Sequence, residues 1–302
     1  MMQRVLGLDS GGSKTDAVVI DPSGKVLARA RAEGLDPAAS ADWPERLADL
    51  AAQLGPVSAA VLGLPCHGEI AATSARQVAV AADLFGPQVV VMNDVAVAFH
   101  GALAGGDGVL VLAGTGSMAW AHGPLGTQRV GGWGHLFGDE GSAYWIGRAA
   151  LALASQHLDG RQPPSGFAHG LLREMGVAAP ELLAWVYAQD SRAGIASVAA
   201  MVSGLADAGV TEAVALMTEA AGHLALAGQT AARLAGLEAP LPWSFAGGVL
   251  RDATIRAALT AKLGAPQPPA LAPVGGAALA AAERAGWATG PEFIATLNRE
   301  LG

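Results

Sequence analysis

The 302-residue chain has a single cysteine, Cys66. One thiol excludes an intrachain disulfide and any multi-cysteine zinc or iron–sulfur site. A lone free cysteine usually serves as a small buried or half-buried residue. Basic residues are also scarce: 18 Lys and Arg against 26 Asp and Glu leave a net charge of −8, which argues against a nucleic-acid-binding face. No apolar run approaches the length needed to span a bilayer. The N-terminus passes from Met1-Met2-Gln3-Arg4 straight into a strand, without the layout of a signal peptide, so the expected location is the cytoplasm. No low-complexity linker interrupts the chain. What is present is globular: 52% hydrophobic and 15% charged residues, in a length sufficient for two domains.

Two glycine turns stand out. Asp9-Ser10-Gly11-Gly12-Ser13-Lys14-Thr15 follows the apolar run Arg4–Leu8, and Ala113-Gly114-Thr115-Gly116-Ser117 follows Val109–Leu112. Glycines allow close backbone approach and positive φ, and successive N–H groups in such turns make an anion-binding concavity. Either turn alone is also an ordinary hairpin. Together, about a hundred residues apart, they suit the two sides of a polyphosphate.

The pattern predicts three strands in a meander (residues 4–9, 15–20 and 25–32). A helix over 43–54, a strand over 57–64, a helix over 70–85 and a strand over 89–92 follow, ending in Asn93-Asp94. A short helix leads to the second glycine turn. The order then restarts with strands over 118–122 and 127–130, a loop, and helical stretches over 140–158, 166–175, 180–203 and 210–235. A strand over 242–246, a helix over 252–263, a short strand over 267–271 and a last alanine-rich helix from Pro273 complete it. Two α/β halves are expected, packed closely with a cleft between. The expected domains are residues 1–113, completed by the C-terminal segment 288–302, and residues 114–287 with helical insertions.

Acidic residues and glycine turns fall at strand ends, where ligands bind in open α/β sheets. Asp9 suits a water-mediated Mg²⁺ site beside a nucleoside triphosphate, or caps the following turn. Lys14 touches a phosphate or points to solvent. Asp94 is the candidate general base for phosphoryl transfer to a hydroxyl; by spacing alone, Asn93-Asp94 reads equally as a helix N-cap. Gly131 to Ala143 mixes glycine, aromatic and acidic residues in a way that suits a sugar, with Asp139 and Glu140 also placed to stabilise a helix N-terminus. His135 has no cysteine or second histidine beside it and is not a metal-ligand candidate.

Taken together, these residues resemble the sugar-kinase and actin-like ATPase superfamily, and within it the group containing N-acetylglucosamine kinase and the BadF/BadG-type ATPases. The resemblance covers nearly the whole chain. It rests on Asp9 to Thr15, Asn93-Asp94, Gly114-Thr115-Gly116-Ser117, Gly132-Trp133-Gly134 with Gly138-Asp139-Glu140-Gly141-Ser142, Gly247-Gly248-Val249, and Pro273-Val274-Gly275-Gly276-Ala277. The resemblance implies two ribonuclease-H-like (actin-like ATPase) domains and ATP with Mg²⁺ as cofactors. Gly11, Gly12, Ser13, Lys14, Thr15, Gly114, Thr115, Gly116 and Ser117 would hold the phosphates, and Asp9 would face Mg²⁺. Asp94 would take the proton of the sugar 6-hydroxyl. Asp36, His67, Gly68, Asn93, Trp133, Asp139 and Glu140 would lie at the sugar, with Glu69 in the same loop as His67. Gly247, Gly248, Val249, Gly275 and Gly276 would lie near the adenosine. A homodimer is implied in the same way.

The sequence departs from the family pattern at Ser10 for glycine, Ser13 for threonine, and Asp36 where the family usually has asparagine. A carboxylate at position 36 accepts hydrogen bonds but cannot donate as an amide does, and it would attract the ammonium of a free amino sugar. The expected function is thus ATP-dependent phosphorylation of an amino sugar, N-acetylglucosamine first and glucosamine as the alternative. A BadF/BadG-type electron-transfer ATPase would need paired cysteines. A repressor of the related sugar-kinase group would need a zinc motif and a helix-turn-helix, and the chain has neither. A non-catalytic sugar sensor is the third class.

Overall fold

The computed structural model describes residues 3–12, 14–189 and 191–302. The chain divides into two compact units: residues 1–107 with 268–302, and residues 108–267.

In the first unit, β1 (Val5–Ser10), β2 (Lys14–Ile20) and β3 (Val26–Glu33) form the antiparallel meander. After α1 (Trp43–Leu54), the parallel strand β4 (Ala59–Leu64) returns beside β1. After α2 (Ala71–Phe85), β5 (Val89–Asn93) extends the sheet and runs directly into α3 (Asp94–Ala102). The strand order is β3-β2-β1-β4-β5. Alternate residues sort to the two faces, as the two-residue period of a strand requires. Leu6, Leu8, Leu62 and Leu64 meet Trp43, Leu47 and Leu50 of α1. Val5, Val18, Ile20 and Val61 face the other way. That second face is covered by α10 (Pro273–Arg284) and α11 (Pro291–Leu301).

Gly7 explains how closely that cover fits. A Cβ at Gly7 would stand 2.2 Å from the Ala278 backbone nitrogen, so the helix lies directly on the strand only because glycine is there.

In the second unit, β6 (Gly108–Ala113), β7 (Ser117–Gly123) and β8 (Gly126–Gly131) repeat the meander. α4 (Ala143–Leu158), α5 (Gly166–Met175), α6 (Leu182–Tyr187), α7 (Arg192–Asp207) and α8 (Thr211–Ala235) follow. β9 (Trp243–Ala246) then pairs parallel with β6, and α9 (Ala253–Leu263) ends the unit. The strand order is β8-β7-β6-β9, and one core joins Val109, Val111, Ala119 and Ala121 to Ile146, Val202 and Leu224 of the helices. No single helix among the described residues is long and apolar enough to cross a membrane. The α7–α8 pair reaches that length and composition only together, across a 120° bend.

Four expectations change. Strand β6 pairs with β7 and β9, so the division of the chain falls at residue 107/108 and not at 113/114. The return to the first unit begins at residue 268, ahead of α10, and not at 288. Residues 267–271 form no strand: Gln267 donates to the Trp243 carbonyl, and Ala270 and Leu271 donate to Ala102 and Gly101 at the end of α3. The helical stretch expected over 180–203 is two helices, α6 ending at Tyr187 and α7 starting at Arg192.

Candidate active site

In the first unit, the parallel strands β1, β4 and β5 all deliver their C-terminal ends to one edge. Asp9 lies near the end of β1, the Cys66–Glu69 turn follows β4, and Asn93-Asp94 closes β5 and opens α3. Burial raises the Asp9 carboxyl to about 7, helped by the neighbouring Asp94 and Asp16 carboxylates and opposed by Lys14. Burial likewise raises Asp94 to about 6, with Glu69 and Asp36 adding to it and the Val95 amide pulling the other way. Several acidic groups therefore share this edge and oppose one another's ionisation. A carboxylate held near 6 is a competent proton acceptor at neutral pH.

Asn93 brackets the site. Its Oδ1 accepts from the Val95 amide at 3.0 Å as the α3 cap, and its Nδ2 donates to the His67 carbonyl at 3.0 Å. Both ends of its amide are thus committed to holding the loop after β4 against the start of α3. The His67 ring is held in turn through Nδ1 and Gln77 Oε1, 3.0 Å apart, and Gln77 donates to the Pro65 carbonyl. Gly68 reaches φ +79° in this turn and donates to Ser74 Oγ. Cys66 sits at φ 61°, one of three non-glycine residues with positive φ among the described residues. The Asp36 side chain serves its own turn, with Oδ1 accepting from the Ala38 amide at 2.9 Å and Cys66 Sγ at 4.0 Å.

Among the residues expected at the phosphates, Gly11 and Gly12 keep open faces, and the first turn is pinned by the Gly11 amide donating to the Lys14 carbonyl. Gly34 backs this turn: a Cβ there would stand 2.4 Å from the Gly11 carbonyl oxygen. Ser13 lies outside the described residues. Thr15 presents no hydroxyl to a ligand. It is buried, bonded to Ser10 Oγ at 2.8 Å, and donates to the Glu33 carbonyl. Lys14 points outward, 78% exposed and 3.8 Å from Asp16. Lys14 thus stands in solvent, and the Thr15 hydroxyl is committed to Ser10 and Glu33.

In the second unit, the Gly114–Ser117 turn is closed by the Gly114 amide donating to the Gly116 carbonyl. The Gly131–Ala143 loop grips it. The Ala143 amide donates to the Gly114 carbonyl, and Ser117 Oγ donates to the Glu140 carbonyl at 2.8 Å. Asp139 is the centre of this grip. It is buried, sits at φ 53°, and accepts from the Gly134 amide at 3.2 Å and from the Ser117 amide. Burial holds its carboxyl above the ordinary range despite those bonds and the nearby Arg192 and His135 charges. Asp139 therefore ties two loops together, and Trp133, Leu136, Phe137 and Glu140 are the exposed members of the stretch. Ser142 caps α4 through the Trp145 amide.

A cavity of about 800 Å³ opens beside this turn, lined by Gly114, Thr115, Gly248, Val249, Ser203 and Asp252 among others. Its size suits a nucleoside-sized ligand. Gly247, at φ +100°, makes the approach possible: a Cβ there would stand 2.2 Å from the Ala113 carbonyl oxygen. Gly275 and Gly276 do not take part in this cavity. They belong to α10 of the first unit and are buried, with their would-be Cβ positions at 2.7 Å from Leu301 Cδ1 and 2.1 Å from the Val97 carbonyl oxygen. They are packing glycines, and that corrects the adenosine assignment for both. The α7 wall of the cavity, with Ser203, and the Arg251-Asp252 corner carry no motif; only the adjacency of Gly247-Gly248 pointed to them.

A family model described as the BadF/BadG/BcrA/BcrD ATPase family matches residues 6–281. N-acetylmuramic acid/N-acetylglucosamine kinase from Clostridium acetobutylicum is 29% identical over 171 residues, 53% of this chain and 56% of that protein. The chain thus spans about half the length of that curated relative. A solved structure of a proposed N-acetylglucosamine kinase from Chromobacterium violaceum is 26% identical with a TM-score of 0.74, covering 92% of this chain and 98% of that one. A ROK-family glucokinase from Streptomyces griseus in complex with glucose and AMPPNP shares the fold at 21% identity and a TM-score of 0.50, over 92% of this chain and 98% of that one. The fold is the two-part actin-like ATPase fold of sugar kinases.

Proposed function

We propose that this chain, which belongs to the BadF/BadG/BcrA/BcrD ATPase family, transfers the γ-phosphoryl group of ATP to the 6-hydroxyl of an amino sugar, with N-acetylglucosamine as the first candidate. The observation that carries the reading is Asp94: a half-buried carboxylate at the C-terminal edge of the sheet, raised to about 6 among other acids. The names of the relatives support the substrate class.

In this reading Asp94 accepts the hydroxyl proton as the sugar oxygen attacks the γ-phosphorus. The bond to the β-bridging oxygen breaks and ADP leaves with its electron pair. Asp94 then returns its proton to solvent. The backbone N–H groups of the two glycine turns receive phosphate oxygens, and the cavity bounded by Gly248 and Val249 receives the nucleoside.

The residues also fit Mg²⁺. No group of three or more ligating side chains occurs among the described residues, but Mg²⁺ beside a nucleotide needs only one or two carboxylates, with water and phosphate completing the shell. Asp9, raised to about 7 by burial and neighbouring acids, is a carboxylate that a cation would stabilise in its charged form. When bound, the ion neutralises charge developing on the phosphates.

Asp36 favours a second reading. Asp36 and Glu69 both press on Asp94 electrostatically, and such an acidic edge would attract the ammonium of free glucosamine. ADP release with Mg²⁺-ATP across N-acetylglucosamine, glucosamine, N-acetylmannosamine, N-acetylmuramic acid, glucose and no sugar tests both. Sugar-dependent release supports the kinase, and its ranking chooses between the two sugars. Release independent of sugar would overturn the kinase reading in favour of an ATPase, and no release with any sugar would leave a sensor.

A further inference from the structure

The cavity assigned above to the nucleoside runs along one face of α7, where Ala193, Ala196, Ala200, Ser203 and Asp207 recur at the spacing of a helix face. One end of this face lies by the phosphate turn. The Ala143 amide at the start of α4 donates to the Gly114 carbonyl, and a Cβ at Gly147, one turn on, would stand 2.1 Å from the Ile195 carbonyl oxygen. At the other end Ser203 meets Asp252, the N-cap of α9. A helix rises about 1.5 Å per residue, so Ser203 stands roughly 12 Å beyond Ile195. A nucleotide with its phosphates on the Gly114–Ser117 turn thus carries its base toward Ser203.

The Ser203 hydroxyl has one proton to give, and it goes to Asp252 Oδ2. Asp252 Oδ1 is committed in turn to the Ile255 amide at 2.9 Å. A serine inside a helix ordinarily bonds back to carbonyls of its own helix, as Ser197 does with the Gly194 carbonyl at 2.7 Å. Ser203 is turned across to a second helix instead. Its oxygen has only lone pairs left for the cavity. Asp207, at the end of α7, likewise offers only acceptors. Arg251 lines this end as well, but it is exposed, and water competes for its protons.

We propose that Ser203 receives the exocyclic amine of the nucleobase, and that Asp252 is the positioning residue that fixes this hydroxyl as an acceptor. The site then takes adenine and rejects a base with an oxygen at the same ring position, because two acceptors would face each other with no proton between them. This rests on the nucleoside placement proposed above and on no acceptor sugar. The test is therefore binding. Affinities for Mg²⁺-ADP and Mg²⁺-IDP, which carry an amine and an oxygen at that ring position, are measured by calorimetry. The forms compared are the native chain, Ser203→Ala, Ser203→Thr and Asp252→Asn, with melting curves as a check on folding.

The native chain is expected to prefer ADP by about tenfold, the effect of one hydrogen bond made or left unmade. Ser203→Ala removes the preference, and Ser203→Thr keeps it. In Asp252→Asn, Oδ1 still accepts from the Ile255 amide, so α9 keeps its cap, while Nδ2 donates to Ser203. The hydroxyl proton is released to the cavity, and the preference moves toward IDP. Equal weakening of both nucleotides in Asp252→Asn would overturn the positioning role. An unchanged ADP-to-IDP ratio in Ser203→Ala overturns the base contact and leaves the nucleoside placement standing. Binding of neither nucleotide by the native chain overturns both. Discrimination that follows these variants in a chain that phosphorylates no sugar sustains the contact and sinks the kinase reading alone.

Discussion

The Asp94 carboxylate lies close enough to Asp9 to raise that group's proton affinity, so the two acids at the ends of β5 and β1 titrate as neighbours. The folded state holds their protons more tightly than the unfolded chain, whose aspartates ionise near 3.8. Between about pH 4 and pH 7 the folded form therefore binds more protons, and stability falls as pH rises through that window. Asp9→Asn removes this cost. It is expected to raise the melting temperature at pH 8, by an amount that shrinks toward pH 4, while sugar-dependent turnover drops. A variant that melts lower than the native chain at pH 8 would show that Asp9 is held by favourable partners and not by burial.

Asp94→Asn is expected to fold and bind nucleotide while turnover falls by about 10²–10⁴. In the native chain kcat/KM should decline toward acid below about pH 6, where Asp94 takes up its proton. Near-native turnover in the variant, or a flat profile from pH 5 to 8, would remove Asp94 from the role of base.

Asp36→Asn should shift the preference between glucosamine and N-acetylglucosamine toward the acetylated sugar. Asparagine can still accept from the Ala38 amide, so the turn survives the change. An unchanged ratio of kcat/KM values would show that Asp36 serves only that turn.

Gly247→Ala places a Cβ against the Ala113 carbonyl at φ +100°. Strain of this kind costs on the order of 1–3 kcal/mol. Both the denaturation midpoint and the affinity for a fluorescent ATP analogue should fall. Retained affinity with lowered stability would separate the turn from nucleotide binding.

The meander, the alternating strands and the helix starting at Asp94 were legible because each is a local pattern: period-two apolar residues, a proline turn, an asparagine cap. The boundary between units was not, because β6 looks the same whichever sheet it joins, and only its pairing with β9, more than a hundred residues later, decides. Gly275-Gly276 read like a ligand turn since glycine pairs serve both close ligand approach and close helix packing. The backbone of α3 against α10 settles the matter. Asp139 looked like a sugar carboxylate for a similar reason: nothing local distinguishes an acid offered to hydroxyls from one spent on two amides.

The embrace of β1 by α10 also sets an order of biosynthesis. Residues 108–267 form their unit from contiguous chain, so a growing polypeptide can complete it while the groove over Gly7 still lacks its cover. Strands β1, β2 and β4 are made long before α10, and until residues 273–284 emerge, Val5, Val18 and Val61 lack most of their partners on that face, with Val97 of α3 as an early one. Residues 3–107 are thus made well before residues 268–302, which complete their core, and the partly made chain is the form most exposed to misassociation.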